Sequence, residues 1–538
     1  MATFTRKNAW NNNGTFDNPD LLWYAKAVQV MQSRPISDPT SWWFYAAIHG
    51  EYLLPASMIP SSFPDYQYLN WINISYIATT AKIDKIPAQK LTDLFWDQCQ
   101  HATWYFLPWH RGYLVSIENI LRDIIINQLK GPEDWALPYW NYLNQSTQNT
   151  EQNIPPAFTD VSLPDGKPNP LHVVERYGSI IEIGNAENSA NDICQFDTIY
   201  SDGSSPAPLG PGDSTGYFYS GGETGFMHEG GSETGDIEMN PHNFVHGMVG
   251  GRNKKKQTGL MGVPNTAALD PVFYLHHANV DRMWAAWNET GKNENSSKPS
   301  WLVGPSAHGN SRFAMPLDLK GNPWFYTPAD TQSTNNLKYN GTTYSYTYDD
   351  LSLTSFEKAP PSEPMRISER FAKLGIRDLH NVIKMTNDRK TELVGASSGT
   401  LKIKNSETQA TVKLNTTAWE SVSRSFFIAP IPSIPDEVFL QLEGVNGGSD
   451  SNFLSVYVNE KFVKSVSLFG LLSASMKNNF HGGAGLTFKF NITNIIDDLH
   501  LAGNIDIDSL NVQVKAKDAL HKGDEITIDR IGVYRVSQ

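Results

Sequence analysis

The chain has 538 residues, too many for one ordinary domain, and 40% of them are hydrophobic and 12% aromatic, a content that supports a sizeable core and excludes global disorder. Its 43 basic residues against 56 acidic ones leave a net charge of −13, which repels phosphate backbones and anionic lipid, so neither nucleic acid nor a membrane is an expected partner. Two cysteines, Cys99 and Cys194, cannot build a disulfide framework, and no run approaches 18 apolar residues. With no apolar stretch in the first ten residues, the expected location is the cytoplasm, a removed export signal being the alternative.

In chain order, Leu21, Leu22, Ala25, Val28 and Met31 recur at helical spacing over 20–32. An aromatic helix, Trp42-Trp43-Phe44-Tyr45-Ala46-Ala47-Ile48-His49, follows, and another helix is expected from about 92 into the region of Cys99. A further helix beginning near His110 would place Leu114, Ile117, Leu121, Ile124 and Ile125 on one face before Gly131-Pro132 stops it. Residues 145–235 are dominated by Asn, Ser, Thr, Gly and Pro and read as a long surface excursion. Helical signals return around His242 and over 270–288, and the basic run at 252–256 reads as a solvated loop. After the Pro-rich stretch at 359–364 the period changes to two, at Val438/Leu440/Leu442, Leu454/Val456/Val458, Phe488/Phe490/Ile492 and Ile526/Ile528. The expected fold is therefore an α + β multidomain chain: a mainly helical bundle with long loops at 1–355, a linker at 356–365, and an antiparallel β-sandwich at 366–538.

The placement of the 14 histidines points to chemistry. His242 and His246, four apart, project from one face of a helix. Downstream, Asp270-Pro271-Val272-Phe273-Tyr274-Leu275-His276-His277 leads to Asp281, one helical turn beyond His277, where a carboxylate would orient an imidazole or neutralise Arg282. His49, His101 and His110 sit among tryptophans and tyrosines. Imidazoles in apolar surroundings must be hydrogen-bonded or metal-bound. All-imidazole ligation suits Zn, Cu, Fe or Ni, and two groups of three imply two metal ions with open positions.

Segments 42–50, 99–113 and 242–284 resemble the tyrosinase and polyphenol oxidase family of type 3 copper proteins, and the likeness extends over most of 1–350, from Arg6-Lys7-Asn8 to Tyr346-Thr347-Tyr348. The resemblance implies a four-helix core holding two copper ions, one on His49, His101 and His110, the other on His242, His246 and His277, with His276 as a neighbour. It also implies a thioether between Cys99 and His101, and a water held by Glu238 and Asn243 that takes the phenol proton. Gly247 and Pro264 would leave room for substrate above the second copper. By the same resemblance the β domain covers the copper entrance, with Phe469 or Phe480 as the plug. The implied activity is O2-dependent ortho-hydroxylation of monophenols and oxidation of o-diphenols to o-quinones, latent until the cover is removed, with a copper-delivery protein as a possible partner. A catechol or o-aminophenol oxidase without monophenolase activity, a haemocyanin-like O2 carrier and a zinc hydrolase are the competing readings.

Overall fold

The computed structural model describes residues 3–536 apart from 52–85, 145–149, 184–188, 198, 202–218, 227–233, 256, 292, 306–312, 353–390, 404–405, 416–435, 476–482, 503–507 and 521–524. The expected linker at 356–365, the domain boundary at 366 and Phe480 lie outside these residues.

Helix α1, Pro19–Ser33, begins where the Asn18 side chain accepts from the Asp20 amide and Pro19 occupies the first turn. Helix α2, Trp42–His49, is capped by the Ser41 side chain and buries all eight residues, so it runs through the centre of the bundle. Helix α3 spans Gln89–Phe95 and ends earlier than expected. The amides of Asp97 and Gln98 leave it to bond the carbonyls of Ala47 and Ile48 at the end of α2, which carries Cys99 and His101 toward His49. Helix α4, Phe106–Asp123, starts four residues before the expected position, because Pro108 falls in the first turn, where a missing N–H costs nothing. Helices α5, Asn243–Gly250, α6, Pro264–Ala267, and α7, Val272–Glu289, complete the ligand-bearing core.

The two ends of this unit meet in a short parallel pair, β1 (Phe4–Arg6) against β2 (Tyr346–Tyr348). The pair drives Arg6 into the bundle beside Asp281. The Asp281 carboxylate does not touch His277 or Arg282. It accepts from Arg111 Nε at 2.6 Å, Arg6 Nη1 at 3.1 Å and the Tyr346 hydroxyl at 2.6 Å, with Tyr348 alongside. Arg282 turns instead to Asn279 and to the carbonyls of Asp350 and Ser352. A charge placed by helical periodicity beside an imidazole is thus claimed by two buried guanidiniums from distant parts of the chain.

The C-terminal unit is antiparallel throughout. Its strands are β3 (Thr391–Ala396), β4 (Leu401–Ile403), β5 (Glu407–Leu414), β6 (Glu437–Asn446), β7 (Phe453–Val458), β8 (Lys461–Ser467), β9 (Leu486–Asn491), β10 (Ser509–Ala516) and β11 (Ile526–Val536). Among the described residues they form one sheet in the order β8-β7-β10-β5-β3-β11-β6-β9, with β4 also on β11. The sheet curls until its edges β8 and β9 approach each other, enclosing a second core as a nearly closed sandwich. The alternating residues Leu440 and Leu442 pair across with Phe490 and Phe488 and are buried, as period two requires. The two units share side chains: Phe453 and Leu472 belong to the core of the helical unit, and Met239 to that of the sheet. No helix among the described residues is long and apolar enough to cross a membrane.

Burial alone would raise the Asp281 carboxyl, but Arg111 and Arg6, aided by Tyr346 and Tyr348, outweigh it and hold the group below its ordinary value. Its stabilising contribution is therefore complete above the ordinary carboxylate range and is lost as pH falls through the depressed folded value. Asp281→Ala is expected to cost about 3–5 kcal/mol in denaturant unfolding and to flatten the acid limb of stability, since two buried guanidiniums lose their shared partner. An unchanged unfolding midpoint would show that the network does not hold the frame.

Candidate metal centre

Two clusters of buried side chains lie at the centre of the helical unit. His49, Cys99, His101 and His110 form one, and His242, His246, His276 and His277 the other, with ligand atoms in each within 4.8 Å of one another. His49 closes α2, His101 follows the extended exit from α3, and His110 stands on α4. His242 immediately precedes α5, His246 lies one turn into it, and His277 is on α7. The clusters meet where the His110 and His277 rings stack at 4.4 Å and 8°.

Hydrogen bonds fix the tautomers. His49 Nδ1 bonds the Pro264 carbonyl at 3.0 Å, His110 Nδ1 the Phe106 carbonyl at 2.7 Å and His246 Nδ1 the Met261 carbonyl at 2.8 Å. His242 Nδ1 bonds Asn243 Oδ1 at 2.8 Å. Each partner only accepts, so each Nδ1 carries the proton and each Nε2 keeps its lone pair. In the second cluster the Nε2 atoms of His242 and His246 both face His277 Nε2 at 3.3 Å. One proton on His277 can serve only one of two lone pairs, whereas a metal ion satisfies all three. Burial first, then the mutual proximity of the imidazoles, pushes His110, His242 and His277 well below the ordinary histidine range, so protonation does not supply the missing charge. Burial and then His276 act in the same direction on His246. The donor set fits soft-to-borderline metal ions and not Mg or Ca.

A family profile described as the common central domain of tyrosinase matches residues 39–290. Residues 39–290 belong to the tyrosinase and polyphenol oxidase family. A second profile, the domain of unknown function DUF7868, matches residues 390–536. A tyrosinase of Hahella sp. (strain CCB-MM4) is 28% identical over 98% of this chain and 99% of its own length. Catechol oxidase B of Solanum tuberosum is 34% identical over 42% of this chain and 35% of its own length. Among solved structures, latent apple tyrosinase shares the fold over 100% of this chain and 98% of its own, with a TM-score of 0.53 at 20% identity. Latent aurone synthase does so with a TM-score of 0.54 at 18% identity, over 100% of this chain and 90% of its own. The two histidine clusters fit the dicopper centre of a type 3 copper phenol oxidase.

Several expected residues gather around this centre. Cys99 Sγ lies 3.5 Å from His101 Nδ1 and 3.4 Å from His110 Nε2. Glu238 and Asn243 line one small cavity with His101, Ala102, Pro264 and Phe469. Both Glu238 oxygens accept from the Ala102 amide, at 2.8 and 2.9 Å. Ala102 has φ +51°, a strained conformation for a residue with a side chain, so Glu238 also braces the backbone next to His101. His276 packs against His246 at 4.9 Å and His242 at 5.3 Å.

Gly247 does not open onto free space, whereas Pro264 borders the small cavity. A Cβ on Gly247 would stand 2.8 Å from the Phe453 ring, and Pro264 faces Gly470, both residues of the sheet unit. The roles missed in the sequence are those of Phe453, Arg6, Arg111 and the carbonyls of Met261 and Pro264. An aromatic opposite a glycine leaves a trace only once the fold is known, and backbone carbonyls leave none. Arg252 is likewise no solvated side chain: it bonds Ser451 and Ser449 of the sheet unit.

Burial pushes the Glu238 carboxyl up to about 8, with the Ala102 amide acting against it. In metal-free protein this raised value makes Glu238 favour folding at low pH, a contribution lost as pH rises through about 8. Infrared spectra should show a protonated carboxyl stretch persisting to about pH 8 and absent in Glu238→Gln. A stretch already lost in the ordinary carboxylate range would contradict this environment.

Proposed function

We propose that this protein is a tyrosinase, acting on monophenols and o-diphenols, held latent by its own C-terminal unit. The observation that carries the reading is the position of Phe469. Its ring stacks on His246 at 4.2 Å and 22° and lies within 5.8 Å of His101 and 5.9 Å of His242, so it covers residues of both clusters. The space left beside it is about 30 Å³, enough for water and too small for a phenol ring. Phe469 thus occupies the position where an aromatic substrate would stack.

His49, His101 and His110 would hold one copper ion and His242, His246 and His277 the other. When bound, the copper pair supplies activation of O2 and the two-electron oxidation of the phenol. The chain's own residues supply the rest. With Phe469 displaced, His246 offers its ring face to the substrate. Glu238 and Asn243 flank the same opening, and Asn243, whose Oδ1 holds His242, has its amide nitrogen left to orient a water. A phenol loses its proton to that water or to Glu238, whose carboxyl is exposed to solvent and to the metal charge once the cover leaves. Cys99, between His101 and His110, is placed to join His101 as a thioether and fix that ring.

Phe469→Ala in the full-length, copper-loaded protein is expected to raise oxidation of 4-methylcatechol at least tenfold without proteolysis. Unchanged activity would show that the ring does not exclude substrate. In protein freed of its cover, Glu238→Gln is expected to lower tyrosine hydroxylation about a hundredfold, the usual contribution of a general base, while lowering catechol oxidation far less. An equal fall in both would assign Glu238 to the frame alone and favour a catechol oxidase.

A further inference from the structure

One loop orients a histidine of each copper site, and the sheet unit docks on that same loop. Between α5 and α6 the chain runs through 251–263. Met261 in this loop accepts from His246 Nδ1, and Pro264 at its end accepts from His49 Nδ1. The tautomer and ring direction of one ligand in each cluster therefore depend on where these two carbonyls stand. On its inner side the loop is tied by the Leu260 amide to the Glu175 carbonyl and by the Gly259 amide to the Gly251 carbonyl.

Its other fastening comes from the sheet unit. Arg252 Nε donates to Ser451 Oγ at 2.8 Å, and its Nη2 donates to Ser449 Oγ. Thr258 Oγ1 and Ser451 Oγ share a hydrogen bond at 3.3 Å. Ser451 also stands close to Gly262, where an added Cβ would come within 3.4 Å of it. Ser449, Ser451 and Thr258 are all buried, while Arg252 is half-buried where it reaches them. The serine turn is itself fixed to the segment bearing Phe469, because the Leu472 amide donates to Asp450 Oδ1 at 2.7 Å.

We infer that the C-terminal unit braces the dicopper centre as well as covering it: the clasp of Arg252 on Ser449 and Ser451 holds the 251–263 loop, and through Met261 and Pro264 it sets the rings of His246 and His49. Arg252 is a positioning residue, acting on copper retention without touching copper. The inference rests on the ligand assignment proposed above. Disturbing the partner that orients a metal-bound histidine weakens metal binding by about 10- to 100-fold.

The test follows copper transfer from full-length, loaded protein to a bathocuproine chelator under ascorbate. Wild-type protein holding two copper ions checks the ligand assignment on its own. Arg252→Ala is expected to release copper about tenfold faster than wild type, and before ascorbate is added its oxidised, Cu(II) form should show a shifted d–d absorption. Ser451→Ala and Arg252→Lys, which each weaken the clasp in part, should fall between. Phe469→Ala opens the cover without touching the clasp and should release copper more slowly than Arg252→Ala. Wild-type release from Arg252→Ala would overturn the inference, as would Phe469→Ala matching it, since access and not positioning would then govern retention. Should Arg252→Ala fail to fold, the same comparison decides on Ser451→Ala.

Discussion

The structure turns on a single constraint: imidazoles buried among aromatic side chains, several with their Nδ1 protons already committed, turn their Nε2 atoms toward one another. An unpaired buried acceptor is costly, and in the second cluster the lone pairs of His242 and His246 both face His277 Nε2 at 3.3 Å. Among the described residues only a proton on His277 could donate into that gap, and it can serve one lone pair alone. The surrounding fold exists to keep the gap in place, and its chemistry follows from filling it with a metal pair.

Holding six rings from four helices and an extended segment requires a stiff frame, and the frame is partly ionic. Arg6, from the first strand, and Arg111, one residue after a ligand, converge on Asp281, one turn after another ligand. Arg111 also lies over the Trp284 ring at 3.7 Å. The network ties α4 to α7, which carry His110 and His277, the two rings stacked between the clusters. Its members are buried, and removing Asp281 would leave Arg111 without its carboxylate and Arg6 with Glu118 alone. The sheet unit then adds a cover whose contacts reach the same helices: Phe453 packs on Phe244 at 4.9 Å and against Gly247, and Ser467 donates to the Asn243 carbonyl. A cover fitted so closely cannot move without changing the surroundings of α5.

Much of this was legible in the sequence where local periodicity carries it. The buried aromatic helix before His49, the four-residue spacing of His242 and His246, and the alternation at Val438/Leu440/Leu442 all follow from the geometry of helices and strands. Periodicity failed where distant parts of the chain compete for a group. Asp281 was assigned by helical spacing to His277 or Arg282, yet its partners are Arg6, Arg111, Tyr346 and Tyr348, some of them hundreds of residues away. The helix expected to begin near His110 starts at Phe106 instead, because Pro108 is at home in a first turn. Gly247 reads as open space, because the sequence cannot show which residues of a second unit fill a gap. Within the basic run Lys254 and Lys255 are exposed as expected, and only Arg252 is drawn to the sheet unit.

Anomalous diffraction at the copper edge from crystals of the loaded, full-length protein tests the central claim most directly. Two copper peaks are predicted, one among His49, His101 and His110, the other among His242, His246 and His277, on either side of the stacked His110 and His277 rings. A single peak, or peaks away from these six imidazoles, would contradict the account.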